Sequence, residues 1–404
     1  MQPVTLVIPG QFWDSQIYRG RLYLFGRDGS IRTLDWDRLI GTLVLPARLR
    51  LAAECAFCRS DYLYGSNWTL FFSDPEIKEL VTSKFETLAK KKIIISEAQL
   101  QQCERGRQDN PFSFPHTDSL IYWRNMFVVG DEGVWRATCD PGRTRHPVSS
   151  RPRRHWDCPT ISVAAAYRSL ALAAGPEGLW ELDVHHFGLS SDDSGTLSRV
   201  ADRGCDACEF MFHSVYGSSY EGGGFLAEFE REGSWASGEP IQRTLSRVLS
   251  GREIFGGGEG YSWGTRDKIY LAHRGSVRIA RYRPFRDDDH IEIIGDIRIQ
   301  EWKGDFVSGG VATFGAILEY DNAIVVIPSE GSPVTLRGEP VRWRVFPGSR
   351  HYQNHLHTIY NDELRVQSFN QDYFVDQRAK LFGTGAVFAN EFNTRRHPTE
   401  SLFG

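Results

Sequence analysis

The sequence has no uninterrupted apolar run of the length that a membrane-spanning helix needs, which is about 18 residues. Its densest apolar stretch, 161–175, is broken by Arg168. The N-terminal residues MQPVTLVIPG lack the basic start and the long apolar core of a secretory signal. These absences predict a protein that neither crosses a membrane nor enters the secretory route.

Neither sign of charge is in excess, because 47 Lys and Arg residues face 51 Asp and Glu residues, for a net charge of −4. A balance this close gives no overall attraction to nucleic acid or to an anionic membrane. The seven cysteines are an odd and modest number for 404 residues. Secreted disulfide scaffolds are richer in cysteine and usually even in number. We therefore expect reduced thiols and a cytoplasmic location.

The signatures of several enzyme classes are also missing, including HExxH, the Walker lysine loop and a GxGxxG placed between strand and helix. One pattern fits by letter, because GYSWG at 260–264 matches the GxSxG nucleophile elbow. That elbow needs a strand before it and a helix after it. Here a glycine-rich stretch precedes the motif and the strand-like KIYLAHR follows it. We expect a chance match in a turn, and we predict no cofactor.

What the sequence does contain is a phrase that returns about every 50 residues. It consists of an aromatic residue, a turn, an alternating apolar run, a glycine and a second apolar run. The clearest copies are 18–37, 121–140 and 164–183, and the starts lie near 18, 61, 121, 164, 213, 264, 312 and 358. Alternation around a tight turn such as Asp28-Gly29 predicts two antiparallel strands in each copy.

A unit of about 43 to 60 residues holds four short strands, which is one propeller blade. The chain therefore resembles the β-propeller repeat proteins of the WD40 and kelch kind, although only in blade rhythm, since Trp36-Asp37 and Trp156-Asp157 are isolated dipeptides. The resemblance implies an all-β, closed propeller of seven or eight four-stranded blades across 1–404. Two β-sandwich domains are the alternative. Strand 4–8 (VTLVI) has no local partner, so we expect it to complete the last blade and close the ring.

Two segments interrupt the rhythm. Asp74-Pro75 is typical of a helix start, and Ser96 with Gln99 is typical of a capping box, so 74–106 is predicted to be a helical hairpin. The segment 237–251 is predicted to be a short helix, because its apolar residues share one helical face and Gly251 ends it. Such insertions either cap a propeller or form a docking surface.

Two residue groups are candidate metal ligands. Paired CxxC motifs can supply the four thiolates of a zinc site, but their similar flanking sequences predict equivalent positions in two distant blades. Buried apolar thiols are therefore the favoured interpretation. Two histidines of one predicted strand share a face and could bind a metal or simply form hydrogen bonds. The four cysteines and two histidines are Cys55, Cys58, Cys205, Cys208, His355 and His357.

The segment Arg143–His155 (RTRHPVSSRPRRH) contains five arginines, two histidines and no acid. It follows the turn-forming Asp140-Pro141-Gly142, so we expect an exposed loop. Such a loop could bind an acidic protein surface or phosphates, and an adjacent tryptophan could stack on a base. The candidate residues are Arg143, Arg145, Arg151, Arg153, Arg154 and Trp156.

Together these features favour a non-catalytic protein-interaction or scaffolding subunit of a larger complex. Its partners, other protein subunits, would bind to loops on the propeller face and to the inserted helices. One alternative is a propeller hydrolase or lyase with a site at the central channel, built from residues such as His213, Glu259, Tyr261, Ser262 and His273. The other is nucleic-acid contact through the Arg143–His155 segment.

Overall fold

A computed structural model describes residues 2–64, 74–139, 147–184, 195–220, 223–232, 242–257, 260–273, 275–284, 290–298, 304–328 and 332–370. The helices in this part of the chain are α1 (Trp36–Gly41), α2 (Ala47–Phe57), α3 (Asp61–Tyr64), α4 (Pro75–Ala89), α5 (Glu97–Cys103) and α6 (Gly251–Phe255). None of them is long and apolar enough to cross a membrane.

The strands before residue 185 are β1 (Val4–Pro9), β2 (Phe12–Tyr18), β3 (Arg21–Gly26), β4 (Ser30–Asp35), β5 (Ile93–Ile94), β6 (Glu104–Asp109), β7 (Asp118–Tyr122), β8 (Asn125–Gly130), β9 (Gly133–Thr138), β10 (Arg153–Trp156), β11 (Ser162–Ala166), β12 (Ser169–Ala173) and β13 (Leu179–Asp183). Those after it are β14 (Leu197–Ala201), β15 (Ala207–Met211), β16 (Ser214–Ser218), β17 (Phe225–Glu232), β18 (Gln242–Ser250), β19 (Tyr261–Thr265), β20 (Lys268–His273), β21 (Ser276–Tyr282), β22 (Ile291–Arg298), β23 (Phe306–Ala312), β24 (Gly315–Tyr320), β25 (Ala323–Pro328), β26 (Val334–Arg337), β27 (Arg342–Val345), β28 (His355–Ile359) and β29 (Glu363–Ser368).

These strands form seven antiparallel four-stranded sheets, one of which gains a fifth, parallel strand. In strand order, blade 1 is β2-β3-β4-β6, blade 2 is β7-β8-β9-β10, and blades 3 to 6 each take the next four strands. Blade 7 is β27-β28-β29-β1, with β5 beside β1. The protein is therefore a seven-bladed β-propeller, which confirms the predicted fold class, and the alternative of two β-sandwiches is wrong.

The repeated phrase forms the central hairpin of a blade. In blade 1, Leu22 and Leu24 of β3 and Ile31 of β4 are buried, while the turn between the strands carries Gly29 at a φ of +76°. A glycine adopts this left-handed conformation without steric cost. The start near 61 is wrong as a blade, because Asp61–Tyr64 is helical; 65–73 lies outside the described residues. That leaves seven blades rather than eight.

The chain divides into two compact units. Unit 1 comprises 1–110, 141–147 and 304–404, and it contains blades 1, 6 and 7 with helices α1 to α5. Unit 2 comprises 111–140 and 148–303, and it contains blades 2 to 5 with α6. Each unit has its own buried apolar clusters, such as Leu6 with Val366 in unit 1 and Phe127 with Leu172 in unit 2.

In unit 1, the N-terminal strand, predicted over 4–8, spans Val4–Pro9 and is the fourth strand of blade 7. It pairs antiparallel with β29, from Val4 opposite Ser368 to Pro9 opposite Glu363. Ion pairs of the fully buried Asp14 with two partly exposed arginines add a second link between blades 7 and 1. Asp14 of β2 accepts hydrogen bonds from Arg344 and, at 3.3 Å, from Arg342, both on β27. The two ends of the described chain are therefore held in one sheet.

The helices of unit 1 lie between the third and fourth strands of blade 1. Asp74 caps α4 by accepting from the backbone N–H groups of Glu76 and Ile77, and Ser96 with Gln99 forms a capping box at α5. Both predicted helix starts are thus present. The predicted end at residue 106 is wrong, because 104–106 already belong to β6, where pairing with β4 satisfies their backbone. Helices α1 to α3 were not expected from the sequence.

The predicted short helix at 237–251 is wrong. Residues 242–250 form β18, which pairs with β17, whereas 237–241 lie outside the described residues. The register shifts where Phe229 faces Leu245 but Glu228 faces Arg247, so Ser246 is the extra residue of a β-bulge. The bulge breaks the period-two pattern and leaves apolar residues at a spacing that resembles a helical face. The helix α6 begins only after Ser250, whose side chain caps it.

We predict that Leu6→Ala, which removes a fully buried side chain from β1, lowers the free energy of unfolding by about 2 to 5 kcal/mol. Thr5→Ala on the other face of the same strand is the matched control, because Thr5 is only half-buried. Urea denaturation followed by circular dichroism measures both. Equal losses in the two variants would contradict a stabilising role for the buried face of β1.

Candidate functional site

The four candidate cysteines do not form one site. Cys55 lies on α2 and Cys58 follows its last residue, both in the core of unit 1, whereas Cys205 and Cys208 lie in a core cluster of unit 2. The prediction of equivalent blade positions is therefore wrong for the first pair, which is helical. Burial raises the pKa of Cys55 and of Cys205 to about 12, and it raises the pKa of Cys58 and of Cys208 well above the ordinary thiol value. These buried thiols are therefore protonated at neutral pH.

His355 and His357 lie on one face of β28, as predicted, but both rings are fully buried. His355 Nε2 lies 3.0 Å from the carbonyl oxygen of Ala56, so this nitrogen carries the proton and donates it. His357 Nδ1 lies 3.0 Å from Ser15 Oγ. No cluster of three or more metal-ligating side chains occurs within the described ranges. The two histidines join blade 7 to α2 and to blade 1.

The residues of the enzyme alternative do not come together as a nucleophile with its base. Ser262 lies within β19, not on a strand-to-helix turn, and its Oγ accepts a hydrogen bond of 2.8 Å from Tyr216. Burial raises the pKa of Tyr216, so its hydroxyl stays protonated at neutral pH and cannot take a proton from Ser262. Tyr261 stacks between Tyr220 and Trp263, with centroid distances of 4.9 and 6.1 Å.

The remaining enzyme candidates are spread along unit 2. His213 follows the β15 strand with a buried side chain, His273 ends β20 half-buried, and Glu259 lies outside the described residues. Two surface clefts, of about 490 Å³ in unit 1 and about 350 Å³ in unit 2, are lined by other residues.

The arginine segment is not a continuous loop. Arg153–Trp156 is β10, the fourth strand of blade 2, because its backbone pairs with β9. Arg151, Arg153 and Arg154 are exposed there, whereas Arg143 and Arg145 lie outside the described residues. The ring of Trp156 packs against Trp180, with centroids 5.0 Å apart, so it is not an open platform for a base.

A different set of residues stands out at the turn between the first and second strands of each blade in unit 2. The registers leave two residues in this turn, Trp123-Arg124 in blade 2 and Tyr167-Arg168 in blade 3. All four have a positive φ, between 49° and 62°. Two-residue hairpin turns with both angles positive favour Asn-Gly, since bulky residues are strained there. Blade 4 places Phe212 at a φ of 53° in the same position.

Arginines join these turns to one another. The backbone N–H of Arg168 donates to the Tyr122 hydroxyl at 3.1 Å, and its guanidinium carbon lies 4.9 Å from the centroid of the Trp123 ring. Arg243 of β18 donates to the carbonyl oxygen of His213 at 2.7 Å and lies 5.8 Å from the Tyr167 ring. We call Trp123, Arg124, Tyr167, Arg168 and Phe212 the turn row.

The turn row combines exposed aromatic surface with positive charge. Trp123 is 41% exposed and Tyr167 38% exposed. Arg243 is buried, which lowers its pKa, but the Glu181 carboxylate at 2.7 Å stabilises its charge. Arg124 is exposed and has no ion-pair partner within the described ranges. The row therefore offers ring edges and the exposed guanidinium of Arg124 to a partner.

Sequence reasoning missed this row although a signal was present. Aligned copies of the repeated phrase place Arg19-Gly20, Trp123-Arg124 and Tyr167-Arg168 at one position. Blade 1 has a glycine there, as a left-handed turn prefers, whereas blades 2 and 3 have an arginine preceded by an aromatic residue. A bulky pair in place of a turn-forming pair was the indication.

The buried histidines predict a loss of stability in acid. Burial lowers the pKa of His355 to about 4, from 6.5. The folded state therefore binds fewer protons than the unfolded chain between these pH values, so the free energy of unfolding falls as the pH falls. Between pH 7 and pH 4.5, we expect the free energy of unfolding of the His355→Gln variant to fall by about 2 to 3 kcal/mol less than that of wild type. Urea denaturation of both proteins across this pH range measures the difference. Parallel curves of unfolding free energy against pH would contradict the prediction. His357, beside Asp14 and Arg344, remains in both proteins.

No protein-family model matches the chain, and no curated protein matches it. Solved structures do resemble it. The Neurospora crassa Pan2 WD40 domain has a TM-score of 0.45 at 8% identity, covering 91% of this chain and 92% of that one. The AfRom2 CNH domain has a TM-score of 0.39 at 9% identity, covering 63% and 81%.

A chain of a mitotic checkpoint complex has a TM-score of 0.40 at 6% identity, covering 61% of this chain and 73% of that one. With identities below 10% and TM-scores below 0.5, these similarities assign neither a function nor a partner to the chain.

Proposed function

We propose that the chain is a non-catalytic protein-interaction subunit that binds a partner protein through the turn row of unit 2. One observation carries the proposal. Trp123 and Tyr167 occupy backbone positions that a bulky side chain adopts only at a cost, and both rings are exposed. Neither ring is buried in a core that would offset this cost. Strain kept at exposed residues is typical of sites retained for function.

The composition of the row supports binding to a protein. Tryptophan, tyrosine and arginine are the residues that contribute most often to the binding energy of protein interfaces. Rigid hairpins hold them, and the contacts of Arg168 with Trp123 and of Arg243 with Tyr167 restrict the rings before a partner arrives. Such preorganisation reduces the entropy that binding would otherwise cost.

The proposal includes a scaffolding role in a larger complex and a cytoplasmic location, both of which come from the sequence. Contact of a partner with the inserted helices of unit 1 stays a prediction. The enzyme alternative receives no support from Ser262, because its hydroxyl accepts a hydrogen bond from a tyrosine and donates none to a base within the described residues.

The double substitution Trp123→Asn with Arg124→Gly supplies the turn residues that the backbone prefers. We expect it to raise the free energy of unfolding by about 1 kcal/mol, because it relieves strain at two residues. The control is Trp123→Ala, which removes the ring but not the strain and should give no gain. Urea denaturation measures all three proteins. A double variant less stable than wild type would mean that the fold itself needs these side chains.

Partner contact is tested by site-specific photocrosslinking. A photoreactive phenylalanine analogue replaces Tyr167 in the full chain, which is expressed in cells of the organism from which the protein comes. We expect a defined partner protein to crosslink there, and we expect Trp123→Asn with Arg124→Gly to abolish the crosslink. The control position is Tyr220, which is 59% exposed and follows β16 in the same unit. An equal yield at Tyr220, or no effect of the turn variant, would refute the proposal.

A further inference from the structure

Resting on the proposed function, we propose that the partner presents an extended acidic segment, whose carboxylates pair with Arg124 and with the arginines at the start of β10. The turn row would hold the apolar side chains of that segment. Together these residues form a basic edge beside aromatic rings on one end of blade 2.

The strand registers place these arginines at the same end of the blade. Asn125, which follows the Trp123-Arg124 turn, faces Thr138, and Arg136 two residues earlier on β9 faces Arg153. The backbone N–H of Cys139 donates to the carbonyl oxygen of Arg124 at 2.6 Å. Because strands in a sheet lie about 4.8 Å apart, two strand spacings separate β8 from β10. One extended segment can reach both.

Among the described residues of blade 2, acidic and basic side chains are separated between the two ends of the strands. Its described acidic residues all lie at the other end of the strands. Asp118 begins β7, Asp131 and Glu132 form the turn between β8 and β9, and Asp157 follows β10. Arg151, Arg153 and Arg154 are exposed near the turn row, in a segment without any acid from Arg143 to His155. A basic end of this kind is complementary to carboxylates.

The exposed positive charge of this edge comes from β10. Arg153 lies opposite Arg136 across the ladder, and since Arg136 is buried, it is Arg153 that faces solvent. The guanidinium of Arg154 lies 5.7 Å from the centroid of the Trp135 ring, which adds positive charge to the same edge.

The aromatic groups favour a peptide over a nucleic acid. Base stacking needs an open ring face, but Arg168 lies over Trp123 and Trp180 packs against Trp156. The net charge of −4 also gives no general attraction to a polyanion. An acidic peptide needs only ring edges and fixed guanidinium groups, both of which are present.

The test is fluorescence anisotropy with the full chain and three labelled probes. The first is a peptide of four Glu-Asp-Leu repeats, the second its Gln-Asn-Leu counterpart, and the third a single-stranded oligonucleotide of equal charge. We expect the acidic peptide to bind most tightly, and we expect Arg124→Glu with Arg153→Glu to weaken it about tenfold or more. Arg252→Glu, on α6 of the same unit, is the control for a single charge reversal. The substitution at Arg153 places an opposite charge across from Arg136, so folding is not at risk.

The outcomes separate this inference from the proposed function. Equal binding of the neutral and acidic peptides, or no peptide binding while the Tyr167 crosslink persists, would overturn the acidic partner and leave the protein-binding turn row in place. Tighter binding of the oligonucleotide, with displacement of the peptide, would overturn it in favour of nucleic acid. If Arg252→Glu weakened binding of the acidic peptide equally, the effect would reflect only the net charge of the chain. That result would also overturn the acidic partner.

Discussion

The pairing of β1 with β29 is the constraint on which unit 1 depends. Without β1, the last sheet would have three strands and an open edge, and β5 would lose its only partner among the described strands. The same strand sends Leu6 and Ile8 into the apolar cluster that also receives α2 and α4. One ladder therefore supports both the final blade and the inserted helices, and the buried Asp14 ion pair extends this link to blade 1.

Unit 2 combines a regular framework with irregular turns. Its four sheets share one strand order, and buried apolar residues between neighbouring sheets stabilise them. Among the strained turn residues, Phe212 packs against one further apolar cluster of unit 2, whereas Trp123 and Tyr167 keep exposed rings. Because the framework is rigid, a strained turn is held in place rather than relaxed, and side chains such as Trp123 and Tyr167 stay directed to solvent.

The sequence predicted the blades well because a hairpin is a local structure. Alternation around Asp28-Gly29 or Gly130–Gly133 indicates two strands without knowledge of the rest of the chain. The sequence did not predict the elements whose structure depends on contacts with distant parts of the chain. The bulge at Ser246 depends on pairing with β17, and α2 is stabilised by contacts such as that of Ala56 with His355, almost three hundred residues away. The turn row was missed for another reason, since its bulky pairs are apparent only when the copies of the repeat are aligned at this turn.

The β10 arginines illustrate the same limit. Their charge was evident in the sequence, but their backbone pairing with β9 was not.

The two-residue connection has a consequence for how such a chain can diversify. Tyr122 faces Asn125 and Ala166 faces Ser169 whatever the intervening pair is, so the pair can be exchanged without shifting any strand. Each blade of unit 2 thus carries a turn dipeptide whose exchange leaves the strand register unchanged. Gene duplication followed by two codon changes would suffice to give a copy with altered specificity and an unaltered scaffold.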